Sequence, residues 1–218
     1  MSKYVKNQHG FTIIELMIAT AVFSLVLLVC AAAVAHVGRI YYKGIVTSRT
    51  QDTARRINQE VSTVAQFTGS SGIRSTGPVT LSGIDTYAYC IGNTRFSYAK
   101  DKALGTGLGK SAHVLWKDSH GQTEACIPLD LTQTIPGGAD GSELLGPNMR
   151  LPIFSVVAAN KLVTINLTVT YGDSSDLFIP EDLAAVPAIP AYTICKGLLV
   201  GGQFCAVSSI NTSVLKRL

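Results

Sequence analysis

The first part of the chain has the apolar spacing of one long helix. Leu16 to Ala35 contains twenty residues and no charge, and a helix of that length crosses the roughly 30 Å hydrocarbon layer of a bilayer. From about Ile45 onward, apolar residues recur every three or four positions between charged ones, which is typical of an amphipathic helix. We therefore expect a nearly continuous helix from about Phe11 to Phe67. It should be apolar on all sides at first and carry one apolar stripe later.

Beyond Pro78 the apolar spacing changes to two, the period of strands with one buried face. Glycine and asparagine between such stretches indicate hairpin turns. The expected strands are Asp85–Ile91 with Thr94–Lys100, Ala112–Lys117 with Thr123–Ile127, Ile153–Ala158 with Lys161–Tyr171, and a last strand at about Tyr192–Leu199. The predicted fold class is α+β, with a long N-terminal helix followed by a small antiparallel β-sheet head.

Charges flank the apolar segment on both sides. Lys3 and Lys6 precede it and favour a cytoplasmic N-terminus, whereas Arg39 and Lys43 follow it and weaken that bias. The whole chain has a net charge of +4, and two of those charges are Lys3 and Lys6. This balance is too mild to indicate nucleic-acid binding.

The start of the apolar segment reads Gly10-Phe11-Thr12-Ile13-Ile14-Glu15-Leu16-Met17. An ordinary secretory signal is cut after its apolar core, whereas here the small residue, Gly10, precedes the core. Glu15 is an acid in an otherwise apolar stretch, where a carboxylate costs at least about 2.5 kcal/mol at membrane depth. Hydropathy alone also allows an uncleaved anchor for an unrelated outer domain, with Glu15 merely close enough to the membrane face to reach the lipid headgroups.

This string resembles the class III signal of type IV prepilins and pseudopilins. The resemblance implies that a prepilin peptidase cuts between Gly10 and Phe11 and that the new Phe11 amine is methylated. It also implies that Glu15 meets the Phe11 amine of a neighbouring subunit, which neutralises both charges and sets the axial register of a filament. No cofactor is expected. The implied partners are other pilin or pseudopilin subunits, the prepilin peptidase, an inner-membrane assembly platform and, before assembly, membrane lipid.

The resemblance and the patterns together divide the chain into four segments. These are a leader peptide (1–10), a transmembrane and filament-core helix (11–37), an amphipathic stalk helix (38–68) and a β-rich head (69–218). Between Thr53 and Val61 the stalk resembles that of minor pilins and J-type pseudopilins more than that of a major pilin.

The expected function is therefore that of a structural subunit, in a minor position, of a type IV pilus or pseudopilus. Two alternatives share the same N-terminus: a tip subunit whose head adheres to a surface or binds DNA, and a pseudopilin of a type II protein secretion system. The N-terminus would lie in the cytoplasm, the helix in the inner membrane and the head outside, and assembly would carry the subunit into a surface filament. The chain has no Gly-x-Ser-x-Gly, Walker or His-Glu-x-x-His motif, so an enzyme is not expected.

The chain has five cysteines. Cys30 falls in the apolar segment and is expected to be a free apolar residue. The four in the head allow three pairings, and an oxidising exterior favours two disulfides over free thiols or a metal site. Many pilins carry a short disulfide loop near the C-terminus. That resemblance favours Cys195–Cys205 and leaves Cys90–Cys126.

One loop of the head is rich in acids. It contains Asp173, Asp176, Glu181 and Asp182, and calcium needs several oxygen ligands on one turn. Asp173 and Asp176 are therefore a weak calcium candidate, although a solvated acidic loop is the commoner outcome. No other metal site is expected.

Overall fold

The N-terminal element is a single α-helix. The computed structural model describes residues 11–68, 72–137, 140–197 and 201–217. In it, α1 spans Ile13–Gln66 and contains 54 residues, which confirms the expected continuous helix. The chain divides into two compact units, Met1–Tyr41 and Tyr42–Leu218.

Ten strands follow the helix. They are β1 (Ile73–Leu81), β2 (Ile84–Ile91), β3 (Thr94–Ala99), β4 (Ala103–Leu104), β5 (Lys110–Ser111), β6 (Leu115–Ser119), β7 (Ser142–Glu143), β8 (Met149–Ala159), β9 (Leu162–Tyr171) and β10 (Ala206–Leu215). The first sheet has the order β1-β2-β3-β6-β7, and the second sheet has the order β10-β9-β8-β4-β5. The paired strands are antiparallel except for the short pair β4–β5. The predicted α+β class is confirmed, with two sheets in the head where we expected one.

One hydrophobic core joins the helix to both sheets. The helix contributes a fully buried stripe at the expected spacing of three and four: Ala54, Ile57, Val61 and Ala65. Phe96 of the first sheet and Leu167 of the second belong to the same cluster. Because each sheet buries its inner face in this cluster, the amphipathic part of α1 is the element on which both sheets depend.

Two of the predicted hairpins are confirmed. Strands β2 and β3 pair around Gly92-Asn93, and β8 and β9 pair around Asn160. Asn160 has φ = 56°, and this left-handed conformation suits a tight turn and is tolerated by asparagine.

The predicted strand at 123–127 is wrong. The side chains of Arg74, Thr76 and Arg95 bind three carbonyl groups of this segment. No neighbouring strand is needed to satisfy those carbonyls, so the segment runs as a loop. The partners of β6 are instead β3 and β7.

The predicted last strand, at about Tyr192–Leu199, is also wrong within its described part, 192–197, which is turn and loop apart from a single β-bridge between Cys195 and Phe178. The last strand is β10, which pairs with β9 along its whole length. Its period of two is hard to see in the sequence because Ser208 and Thr212 occupy half-buried positions. The expectation also missed β1, which contains Gly77 and Pro78, two residues that are depleted in strands.

A buried carboxylate ties β7 to β6. Glu143 accepts hydrogen bonds from the backbone N–H groups of Val114, Leu115 and Leu145 at 2.9–3.0 Å. Its side chain is 15% exposed, and His113 Nδ1 lies 3.4 Å from Oε2. Burial raises the pKa of this carboxyl, while the three N–H donors and His113 act in the opposite direction. The carboxylate of Glu143 thus supplies the hydrogen-bond acceptors that a longer strand in the position of β7 would otherwise provide.

We predict that Glu143→Ala destabilises the head by roughly 3 kcal/mol, because it leaves three buried N–H groups without an acceptor. Glu143→Gln should cost less, since its amide oxygen can still accept. The measurement is thermal unfolding of the full chain in detergent micelles, followed by circular dichroism. Ser142→Ala, at an exposed neighbouring position, is the control and should change stability by less than about 0.5 kcal/mol. An equal effect of Glu143→Ala and Ser142→Ala would contradict the assignment.

Candidate assembly site at the N-terminal helix

The start of α1 is closed by a reciprocal pair of side chains. Thr12 N–H and Thr12 Oγ1 donate to Glu15 Oε2 at 2.9 and 2.8 Å, and Glu15 N–H donates to Thr12 Oγ1 at 3.3 Å. The carbonyl of Thr12 accepts the first helical hydrogen bond, from Leu16 N–H at 3.2 Å. Thr12 is therefore the N-cap, and Thr12-Ile13-Ile14-Glu15 is a capping box.

The capping box gives Glu15 a role within its own chain that the sequence analysis missed, although Thr-x-x-Glu ahead of an apolar run is its recognisable signal. The donors from Thr12 are neutral, so they satisfy one oxygen without cancelling the charge. Over the described ranges, Oε1 of Glu15 accepts no hydrogen bond. Phe11 is 91% exposed. Gly10 and the expected leader lie outside the described residues.

The apolar part of α1 has the composition of a membrane span. An 18-residue window of the helix has a mean hydropathy of 2.6, and none of that window is buried within the chain. Large apolar side chains such as Leu16, Phe23 and Leu28 are each more than 60% exposed. Such a surface requires an apolar environment, which lipid or a bundle of like helices provides. Cys30, on the same segment, is a free and exposed thiol.

A disulfide-closed loop is held against the first turns of the amphipathic part of α1. Cys195 and Cys205 are bonded. Lys43 Nζ donates to the backbone carbonyls of Gly202, at 2.9 Å, and Cys205, and burial lowers the pKa of Lys43. The ring of Phe204 meets the ring of Tyr42 edge-on at 5.1 Å. The loop and the helix are therefore joined by both a charged and an aromatic contact.

The second disulfide joins Cys90 of β2 to Cys126. Both sulfur atoms are buried together with Ala88 in a small cluster on the first sheet. The two disulfides have the pairing favoured from the sequence. Each closes a loop in the head, of 36 and 10 residues, and such loops stabilise by about 3–4 kcal/mol when the restriction falls on the unfolded chain.

The head contains a charged cleft of about 580 Å³. Acids and bases line it in equal number: Asp85, Asp101, Asp173, Lys100, Lys102 and Arg150. Arg150 is 4% exposed, and its guanidinium lies 4.7 Å from the centre of the Tyr192 ring and donates to the Asp101 carbonyl at 3.0 Å. Burial raises the pKa of the Asp101 carboxyl. Since these contacts bind the loops of the cleft to one another, the cleft has a structural explanation without a ligand.

The weak calcium candidate is not assembled into a ligand group. Asp173 forms an ion pair with Lys110, and the backbone N–H of Asp176 binds the Ser174 hydroxyl at 3.1 Å. No group of three or more His, Cys, Asp or Glu side chains that could hold a metal ion occurs in the part of the chain that the structure describes.

Comparison with known proteins identifies the N-terminal segment. Residues 5–31 match the family model described as the prokaryotic N-terminal methylation motif. No curated protein and no solved structure matches the chain. The matched range contains Phe11, the capping box and the first part of α1. The rest of α1 and the β-rich head follow it in a pilin-like arrangement. Residues 5–31 thus carry a prokaryotic N-terminal methylation motif, which supports a type IV pilin-like prepilin signal in this part of the chain.

Proposed function

We propose that this chain is a minor structural subunit of a type IV pilus or pseudopilus, processed between Gly10 and Phe11 and assembled through α1. The observation that carries the proposal is an acid, Glu15, at the first turn of an exposed apolar helix that matches a prepilin signal. Chains with this signal are typically structural subunits that assemble with other pilin subunits. An assembly platform in the inner membrane would extract the helix, which then exchanges lipid for neighbouring helices.

Cleavage after Gly10 would change the chemistry of the helix start. It removes Lys3 and Lys6 and creates a new α-amine on Phe11, one residue before the N-cap. The amine is positively charged near pH 7 and lies at the end of α1 that already carries the positive end of the helix dipole. Those two positive charges need a nearby anion, and Glu15 is the acid in the first turn.

We predict that Gly10→Val blocks processing, because the peptidase must fit the residue before the bond that it cuts and a branched side chain obstructs that fit. The variant should keep residues 1–10, remain in the membrane and be absent from sheared filaments. Intact-mass measurement of the membrane-extracted chain detects the retained leader. Lys6→Ala is the control and should be cut. Normal cleavage of Gly10→Val would place the cut elsewhere.

Glu15 is proposed to pair with the Phe11 amine of a neighbouring subunit. A carboxylate enclosed by apolar helices loses its hydration, and only a matched cation offsets that loss. The capping box leaves Oε1 open to such a partner. Because this pair forms only at one axial offset between two helices, it sets register more than it adds stability.

We predict that Glu15→Gln reduces incorporation into filaments about as much as Glu15→Ala, while cleavage continues in both. Glutamine can replace glutamate in a capping box, so Glu15→Gln removes the charge and keeps the cap. Thr12→Val is the matched control, since it removes the capping hydroxyl and keeps the charge. Quantitative proteomics of sheared filaments measures each variant against the wild-type chain.

This comparison distinguishes the two contributions of Glu15, which are its negative charge and its part in the helix cap. If charge pairing controls assembly, Thr12→Val assembles and Glu15→Gln does not. If Glu15→Gln assembles normally while Thr12→Val fails, the helix cap is what assembly requires and the proposed ion pair is wrong.

The head is proposed to lie outside the inner membrane, where its disulfides can form. We predict that a membrane-impermeant thiol reagent labels none of the four head cysteines in intact spheroplasts until a reductant is added. After reduction, Cys90, Cys126, Cys195 and Cys205 should all be labelled in a denaturant that leaves the membrane sealed. Labelling of head cysteines without reduction, or protection of the reduced head until the membrane is lysed, would contradict this orientation.

A further inference from the structure

The four sheet edges of the head differ in how they are protected. Strands β5 and β7 end their sheets with only two residues each. The outer strand of the first sheet, β1, contains Pro78 and a register shift between Thr76 and Val79, and it carries the charged Arg74. Short length, proline, irregular pairing and charge are the means by which proteins prevent a sheet edge from pairing with another chain.

The fourth edge, β10, has none of these protections. It pairs with β9 at ten consecutive positions without a register shift. Its sequence, Ala-Val-Ser-Ser-Ile-Asn-Thr-Ser-Val-Leu, contains no proline, glycine or charge. Half of the residues in a strand at a sheet edge direct their N–H and C=O groups away from the sheet. A regular ladder of unpaired groups therefore runs along β10.

β10 lies at the end of its sheet. Among the described residues, β9 is the one strand that pairs with it, and α1 is bonded near both ends of β10 through Lys43 and Gln66. The inward residues of β9, such as Val163 and Ile165, are completely buried, whereas Ile210 and Val214 of β10 contact the same core but remain half-buried. A further strand beside β10 would complete the burial of these two side chains.

We propose that the free edge of β10 binds an extended, uncharged segment of a different polypeptide, which adds to the second sheet as its next strand. Backbone hydrogen bonds along the edge supply affinity in such strand addition, and alternate side chains supply specificity. Apolar side chains of the segment would face Ile210 and Val214, and small polar ones would continue the row of Ser209, Asn211 and Ser213.

The direction of β10 argues against a second copy of this chain as the occupant. One end of β10 is fixed to Lys43 through the Gly202 and Cys205 carbonyls, and the other end is fixed where Arg217 N–H donates to Gln66 O at 2.9 Å. Strand and helix therefore run in the same direction, from Lys43 to Gln66, over about 35 Å.

An antiparallel pair of two β10 edges would reverse one of these helices relative to the other. The two Tyr42 residues would then lie at opposite ends of the pair. Tyr42 connects directly to the apolar segment of α1 in each copy, so both must lie near the same membrane. This step rests on the proposed function. A head-to-tail contact between copies would need a second long, regular edge, and β1, β5 and β7 do not offer one.

The test uses the full chain in detergent micelles and a fluorescein-labelled synthetic peptide with the sequence of residues 206–215 as the probe. A free peptide has no membrane anchor and can pair in either direction. Fluorescence anisotropy should show saturable binding. The same peptide with alternate backbone nitrogens methylated should bind at least about tenfold more weakly, because it lacks half of its donors.

Two protein variants locate the binding edge. Thr212→Lys puts a charge between Ile210 and Val214, on the half-buried side of β10. An added strand would bury that charge further, so the variant should weaken binding about tenfold or more. Ser75→Lys, at an exposed position of the protected edge β1, is the matched control and should bind normally. Circular dichroism checks that both variants are folded.

Three results would overturn the proposal. They are absence of peptide binding to the wild-type chain, equal binding of the methylated peptide, and sedimentation showing a wild-type dimer that Thr212→Lys dissociates. The last result would make a second copy the occupant. None of these measurements depends on cleavage at Gly10 or on filament formation, so failure here leaves the proposed function standing. If the proposed function failed, peptide binding would still test the β10 edge, and the sedimentation result alone would then decide whether a second copy is the occupant.

Discussion

The constraint on which the structure depends is that one helix must satisfy two different surroundings. The first part of α1 exposes apolar side chains on every face. The later part buries one stripe, from Ala54 to Ala65, in the core shared by both sheets. A helix interrupted by proline would lose backbone hydrogen bonds where its surroundings change, and α1 contains no proline over its 54 residues.

A carboxylate at the apolar end of such a helix is the least expected residue in the chain. Its bonds to Thr12 show how one copy accommodates it, because the capping box satisfies backbone and hydroxyl donors at the helix start. The box leaves the negative charge in place, and the proposed processing creates a positive charge four residues earlier. The capping box explains why the helix starts where it does. The charge explains why assembly would require one particular neighbour.

Much of this organisation could be predicted from the sequence, because its causes are local. The long helix follows from a run of apolar residues and then a regular stripe, and the β2–β3 and β8–β9 hairpins follow from alternation around Gly92-Asn93 and Asn160. The errors arose where distant residues decide the structure. Arg74 and Arg95 bind the carbonyls of 123–127 from other strands, and β10 becomes a strand because β9 pairs with it.

Likewise, only part of the candidate site could be predicted from the sequence. Phe11, Glu15 and the apolar span were identified from the string that follows Gly10, and the family model matches that range. The contact of Lys43 with the disulfide loop and the open edge of β10 could not be foreseen, since both depend on where the last twenty residues return to the helix.

The central claim is that the chain is cut before Phe11 and then carried into a filament. Mass spectrometry of the N-terminal peptide from sheared, washed filaments tests it most directly. The account predicts a peptide that begins with N-methylated Phe11. A filament-borne peptide that still contains Lys3 would contradict it.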